Sequence, residues 1–245
     1  MRAYLVRIGI DQTYGGWNGP MNPLTNQFVF VPIPEARAMA PDLATPYGLM
    51  HQALAAFERS VPAASARHVR LPAALNRAHM HLDPDFESLT YGDSGSRRGK
   101  ELTTLSRGDL VAFYSGLQPV SKCQHRLVYA LVGLYSVSEC VRAGTVPRSR
   151  WFENAHTRFV DREASDVIVR AEPGRSGRLK RCIPIGEFRD RAYRVTREIL
   201  DSWGGLTCRD GYLQRSAVPP AFLDARRFMN WFEHQEPELV NTNNV

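Results

Sequence analysis

Apolar residues fall into short, nearly continuous runs separated by glycine- and proline-rich turns, a pattern that predicts buried strands with short helices between them. Ala3-Tyr4-Leu5-Val6-Arg7-Ile8-Gly9-Ile10 reads as a mostly buried strand ending at Asp11. The loop that follows, from Asp11 to Pro20, holds three glycines within five residues, Gly15, Gly16 and Gly19. Phe28-Val29-Phe30-Val31-Pro32-Ile33-Pro34 predicts a second strand that stops on its prolines. Residues 46–60 have helical spacing, and Arg67–Leu71 reads as a further short strand.

Ala78-His79-Met80-His81-Leu82-Asp83-Pro84-Asp85-Phe86 reads as a strand end that delivers acidic residues into a proline-fixed turn. Residues 97–106 predict a short helix closed by Gly108. Leu110-Val111-Ala112-Phe113-Tyr114 and Leu127–Val137 are strong strands, and the polar stretch between them suits an antiparallel pair. Asp166–Glu172 and Cys182–Ile185 are strand-like around a basic turn. Helical spacing returns over Asp190–Trp203, with Gly204-Gly205 as a fitting C-cap, and over Ala221–Phe232. Interleaved strands and helices predict an α/β fold with a mixed central sheet flanked by helices. One compact domain is expected over residues 1–235, with a flexible tail over 236–245.

Composition narrows the class. The chain has 245 residues, 43% hydrophobic and 23% charged, ordinary values for a globular protein. No apolar run approaches the roughly 20 residues that span a bilayer. Arg7 interrupts the place where a signal peptide needs an apolar core, so a cytoplasmic location without membrane attachment is expected. Cys123, Cys140, Cys182 and Cys208 are widely spaced, which predicts free thiols rather than a disulfide framework or a zinc knuckle.

The formal net charge of +6 is unevenly placed. Residues 142–227 hold 18 Lys+Arg against 11 Asp+Glu, whereas residues 1–141 hold 13 against 11. The second half therefore reads as a surface for phosphates, with Arg175, Arg178, Lys180 and Arg181 in a glycine-containing turn. Arg97, Arg98 and Lys100, in the glycine-rich segment from Thr90 to Lys100, extend that expectation to the first half. Only Lys100, Lys122 and Lys180 are lysines, so the basic groups are mainly guanidinium forks suited to phosphate.

Candidate chemistry lies in the nearly neutral first half. Asp11, directly after a buried strand in a loop whose glycines permit close approach, is a candidate acid, base or turn-forming residue. Tyr14, Gly15, Gly16, Trp17 and Asn18 share its loop and suit a flat ligand, as does Tyr91. His79, His81, Asp83 and Asp85 alternate, which places them on one face of an extended strand. They fit a metal-free acid/base group, a divalent metal site or a capped turn. No Walker pattern, nucleophile elbow or dinucleotide fingerprint is present.

Four segments in order resemble the third nucleotide-modification-associated domain family. They are Gly9-Ile10-Asp11-x3-Gly15-Gly16-x3-Pro20, Val31-Pro32-Ile33-Pro34-Glu35, His81-Leu82-Asp83-Pro84-Asp85-Phe86 and Gly108-Asp109-Leu110-Val111-Ala112-Phe113-Tyr114. That family occurs in phages and bacteria beside genes for hypermodified DNA bases, and the likeness covers the first half of the chain. The chain also looks similar to phage-defence DNA glycosylases that excise glucosylated hydroxymethylcytosine. The resemblance implies a metal- and cofactor-independent glycosylase acting on double-stranded DNA with modified cytosines, by base flipping and water attack that leaves an abasic site. In that reading Asp11 stabilises charge on the deoxyribose, and His81, Asp83 or Asp85 orients the water or binds sugar hydroxyls. The alternatives are a base-hypermodifying transferase or metal-assisted hydrolase, and a non-catalytic reader of modified DNA.

Overall fold

The computed structural model describes residues 1–62, 69–96, 98–124, 126–214 and 218–244, with the side chain of Arg98 set aside. Arg67 and His68 of the strand expected over Arg67–Leu71, and the candidate Arg97, lie outside the described residues. Residues 69–71 are not a strand.

The strands are β1 (Ala3–Arg7), β2 (Pro20–Met21), β3 (Ile33–Pro34), β4 (Met80–His81), β5 (Thr90–Asp93) and β6 (Leu110–Pro119). They continue with β7 (Val128–Arg142), β8 (Val167–Ala171), β9 (Gly177–Pro184), β10 (Gly186–Arg189), β11 (Ala192–Val195) and β12 (Leu239–Val240). The α-helices are α1 (Met50–Arg59), α2 (Ala155–Arg158), α3 (Arg197–Ser202) and α4 (Ala225–His234).

One eight-stranded sheet organises the domain, with β1, β6, β7, β8 and β5 in that order. β2 adds to β6, and β9 and β12 continue from β7. β1 and β2 run parallel to β6, while β6, β7, β8 and β5 pair antiparallel. The sheet is therefore mixed, and the fold is the single α/β domain that the pattern predicts. β6 and β7 are apolar on both faces because both are covered: Val111, Phe113, Leu131, Val132 and Tyr135 are fully buried. A smaller core under α1 gathers Met50, Ala53, Leu54 and Phe57 of that helix with Ile10, Val31 and Met80.

Four further elements differ from the sequence pattern. The helix expected over Asp190–Trp203 is instead the β10–β11 hairpin followed by the short α3. Asp190 and Arg191 take positive φ, the twist a tight hairpin needs, and the Thr196 side chain caps α3 only after the strand is complete. The strand expected over Phe28–Pro34 survives only at β3, although Phe28, Val29, Phe30 and Val31 are buried as that run implies. The final helix begins at Ala225 behind an Asp224 cap, because Ala221 and Phe222 are drawn off to bridge Tyr4 and Leu206.

The fourth difference is the tail. Leu239 and Val240 pair with Leu179 and Arg178 of β9. The side-chain oxygens of Asn243 and Asn244 accept from the Phe86 and Phe30 amides at 2.8 and 2.9 Å. Residues 239–244 are thus anchored where a flexible tail was expected, since the two amides they cap would otherwise lack partners.

All four cysteines are free thiols, as their spacing implies. No helix among the described residues is long and apolar enough to cross a membrane.

Candidate functional site

The centre of the site is a buried carboxylate facing two imidazoles. β4 ends at His81, and the amide of Asp83 donates back to the His81 carbonyl at 2.8 Å, a turn that keeps both side chains on one side. Asp83 accepts from the Gly92 amide of β5 through both oxygens, at 2.9 and 3.1 Å. Asn154 Nδ2 donates to Asp83 Oδ1 at 2.8 Å. Asn154 is also the N-cap of α2, accepting from the His156 amide at 2.9 Å, so one side chain fixes the carboxylate and the helix that carries the second imidazole.

His81 Nε2 lies 3.8 Å and His156 Nε2 lies 3.9 Å from Asp83 Oδ2. The far nitrogens are held by carboxylates: His81 Nδ1 is 2.6 Å from Glu35 Oε2, and His156 Nδ1 is 2.6 Å from Asp166 Oδ2. Phe159 packs against both rings, at centroid distances of 6.0 and 5.6 Å.

Electrostatics follow from burial. Desolvation pushes the Asp83 carboxyl up to about 6, against the opposing pull of His81, His156, the Gly92 amide and Asn154. Burial works against a charge on His156, but its hydrogen bond to Asp166 and the charges of Asp83 and Asp166 outweigh that and raise its pKa. For Glu35, desolvation is likewise overcome by the hydrogen bonds from His81 and the Arg37 amide, which hold the carboxyl below its ordinary value. The group therefore sets a carboxyl behind each imidazole, with a carboxyl whose pKa is raised by burial between them. The three atoms that face inward from His81, Asp83 and His156 lie within 4.8 Å of one another and are the described group that could hold a cation.

These side chains line a cavity of about 640 Å³ shared with Asp11, Tyr14, Tyr91, Asp93, Arg7 and Tyr114. A second cavity of about 770 Å³ adjoins it, lined by Tyr129, Tyr193, Phe188 and Tyr212 with the amides of Gln12, Gln118, Gln124 and Gln214. Arg7, Asp11 and Thr13 border both. Tyr129 and Tyr193 stack at 4.7 Å, and Arg7 sits over the Tyr129 ring at 5.6 Å.

Of the sequence candidates, Asp11, Tyr14, His81, Asp83 and Tyr91 meet in the first cavity. Asp11 also pairs with Arg7 Nη2 at 2.8 Å and accepts from the Thr13 and Tyr14 amides at 2.7 and 2.9 Å, so it shapes its own turn. Asn18 is buried, donates to the Gly116 carbonyl at 2.7 Å and borders the second cavity. Gly15, Gly16 and Trp17 form the loop rather than line either cavity. At Gly15, φ is +83° and a Cβ would come within 2.5 Å of Ile10, which accounts for glycine there. Trp17 packs against the core under α1.

Two members of the predicted His/Asp alternation are not brought to the cavity, because β4 is only two residues long and the extended strand that would align all four is missing. His79 is exposed. Asp85 turns inward to a buried ion pair with Arg158 Nη2 at 2.6 Å. Among the expected phosphate contacts, Lys100, Arg175, Lys180 and Arg181 are exposed, although Lys180 is paired to Glu238 at 2.7 Å. Arg178 is a correction. It is 1% exposed, donates to the carbonyls of Thr242 and Leu179 at 3.0 Å and lies over Phe28, so it holds the tail and cannot reach a phosphate.

His156, Asn154, Asp166 and Glu35 complete the site without having been singled out in the sequence. Glu35 stands in a segment that carried the family likeness, and Asn154-x-His156 has the form of a helix cap, but neither feature discloses a partner more than 40 residues away.

The model for nucleotide modification associated domain 3 matches residues 2–203. No curated protein and no solved structure gives a match to the chain. The matched span runs from β1 through the end of α3 and includes every residue of the Asp83 centre, and the chain belongs to the nucleotide modification associated domain 3 family.

Proposed function

We propose that the protein is a DNA N-glycosylase: a hydrolase that releases a bulky hypermodified base, of the glucosylated hydroxymethylcytosine type, from phage DNA and leaves abasic sites as an antiviral defence. Membership of a family tied to nucleotide modification supports the substrate class. The observation that carries the reading is the meeting of Asp11, Asp83, His81 and His156 with the rings of Tyr14 and Tyr91 in one cavity. Hydrolysis at a glycosidic bond needs a base for water, an anion near the sugar and a face for the extruded base, and these residue types supply all three.

Asp83 is the group suited to activate water. It is buried between two imidazoles, with its carboxyl pushed up to about 6, so it exchanges a proton near neutral pH. Asp11 borders the same cavity, paired with Arg7, and there it balances positive charge developing on the deoxyribose. The adjoining cavity, walled by tyrosines and glutamine amides, gives room and hydrogen-bond partners for a base larger than plain cytosine. Lys100, Arg175 and Arg181 remain available to phosphates at the surface.

Incubation with DNA containing glucosylated hydroxymethylcytosine, followed by mass spectrometry, is expected to find the free modified base and alkali-labile sites. Tight binding of that DNA with no base released would instead make the protein a reader. Release of a saccharide or of an altered base still attached to DNA would make it an editing enzyme.

Gly92 gives a test of the centre's geometry. A Cβ there would lie 2.5 Å from Asn154 Oδ1 and 2.6 Å from His156 Cδ2. Gly92→Ala is expected to push both side chains off Asp83 and to slow base release by about 10²-fold, the scale of a misplacement near 1 Å. Its melting temperature should fall by no more than the equivalent of about 1–3 kcal/mol of overpacking. Undiminished release by Gly92→Ala would take the Asn154–His156 arrangement out of the reaction.

A further inference from the structure

We propose that His81, Asp83 and His156 bind one divalent first-row transition metal ion through the two imidazole Nε2 atoms and a carboxylate oxygen. The proposal rests on the reading of this cavity as the reaction centre and is independent of the substrate; with the ion bound, Asp83 serves as a ligand and does not itself take the proton from water.

The argument begins with where the ring protons sit. Glu35 and Asp166 each approach an Nδ1 to 2.6 Å, and a carboxylate accepts, so each Nδ1 carries the proton. In a neutral imidazole the lone pair then lies on Nε2. Both Nε2 atoms face the same oxygen of Asp83, at 3.8 and 3.9 Å, beyond hydrogen-bond length. With both rings neutral, three electron-pair donors thus converge on one point without bonding to each other.

The spacing fits an ion. Ligand atoms about 2.0–2.2 Å from a tetrahedral centre stand roughly 3.3–3.6 Å apart. The two histidine-to-aspartate distances, 3.8 and 3.9 Å, exceed that by a few tenths of an ångström, and the group as a whole lies within 4.8 Å. An inward movement of the imidazoles by up to about 1 Å therefore brings all three donors into bonding range.

The same two carboxylate contacts point to a metal for a further reason. Metal-bound histidines characteristically have their other ring nitrogen held by a carboxylate, which fixes the ring and strengthens it as a donor. Here both histidines have that support, from Glu35 and Asp166, while Phe159 packs beside both rings. Asp83 is itself oriented by the Gly92 amide and Asn154. Two imidazoles and one carboxylate suit Zn²⁺ or Fe²⁺, whereas Ca²⁺ and Mg²⁺ prefer oxygen ligands throughout. Three protein bonds leave the remaining positions facing the cavity, where water or a substrate oxygen can bind.

The test is metal content and affinity of the full chain, purified with a tag that contains no histidine. One equivalent of Zn or Fe per chain is expected by elemental analysis. After removal by chelator, Co²⁺ should give a visible absorption band that is lost when Zn²⁺ replaces it. His81→Gln and His156→Gln should each weaken Co²⁺ binding by more than Glu35→Gln, a positioning residue whose loss should cost roughly 10–100-fold.

Thermal melts of the same samples show which variants remain folded. Absence of a stoichiometric site for Zn²⁺, Fe²⁺, Mn²⁺ or Co²⁺ in the folded wild-type chain overturns the proposal and leaves a metal-free His–Asp acid/base group. Unchanged affinity in a folded His81→Gln chain overturns it as well. A chain that binds the metal at this site yet releases no base keeps the site and removes the glycosylase reading, so the two failures are distinct.

Discussion

Replacing Asp83 by asparagine is expected to reduce base release by about 10²–10⁴-fold, the range of a positioned acid or base, while leaving the fold intact. Asparagine has nearly the same shape, and its oxygen still accepts from the Gly92 amide and from Asn154, which reach Asp83 Oδ1 at 2.9 and 2.8 Å. What disappears is the carboxylate opposite the imidazoles. Single-turnover release from modified DNA measures the effect, and a thermal melt confirms the fold. Asp11→Asn should cost less, because Asp11 already shares its charge with Arg7 and spends one oxygen on its own turn. Release by Asp83→Asn within a few-fold of wild type would move the chemistry to Asp11.

The second large effect concerns stability. Asp85→Ala strips the buried Arg158 guanidinium of its carboxylate partner at 2.6 Å, in a pair whose side chains are only 8% and 4% exposed, and leaves it the neutral acceptors Phe152 O and Thr45 Oγ1. It also removes the acceptor for the Glu87 and Ser88 amides at 3.1 and 3.0 Å. Leaving one member of a buried pair uncompensated costs about 3–5 kcal/mol. For a chain of this length that lowers the melting temperature by roughly 6–20 °C. Calorimetry decides the matter: a shift below about 2 °C would mean that Arg158 finds another acceptor or water on mutation.

The contrast between these neighbours shows what the sequence could disclose. The long apolar runs of β6 and β7 are legible because strands covered on both faces must be apolar throughout. Asp83 was legible as a candidate because a carboxylate beside a histidine at a strand end is chemically distinctive. Its distinction from Asp85 was not legible, since it depends on which way a turn directs two side chains. Nor could the sequence say that Arg178, inside the most basic stretch of the chain, would be buried. Charge predicts an exposed side chain by default, and only the docking of residues 239–242 turns this one inward. His156 stayed hidden for a similar reason: α2 is four residues long, too short for periodicity to register, and its placement rests on the Asn154 cap.

The anchoring of residues 239–244 bears on how the protein comes into being. The amides of Phe30 and Phe86 receive their partners from Asn244 and Asn243, separated from them by 214 and 157 residues. During synthesis both amides emerge long before the asparagines that cap them. Asp85, which accepts from Asn243 Nδ2 at 3.2 Å, waits for the same event. The corner that leads from the Asp83 centre to the Asp85–Arg158 pair is therefore completed only after residues 239–244 have been made and have docked. Such distant closures slow folding and lengthen the time for which a nascent chain exposes its core.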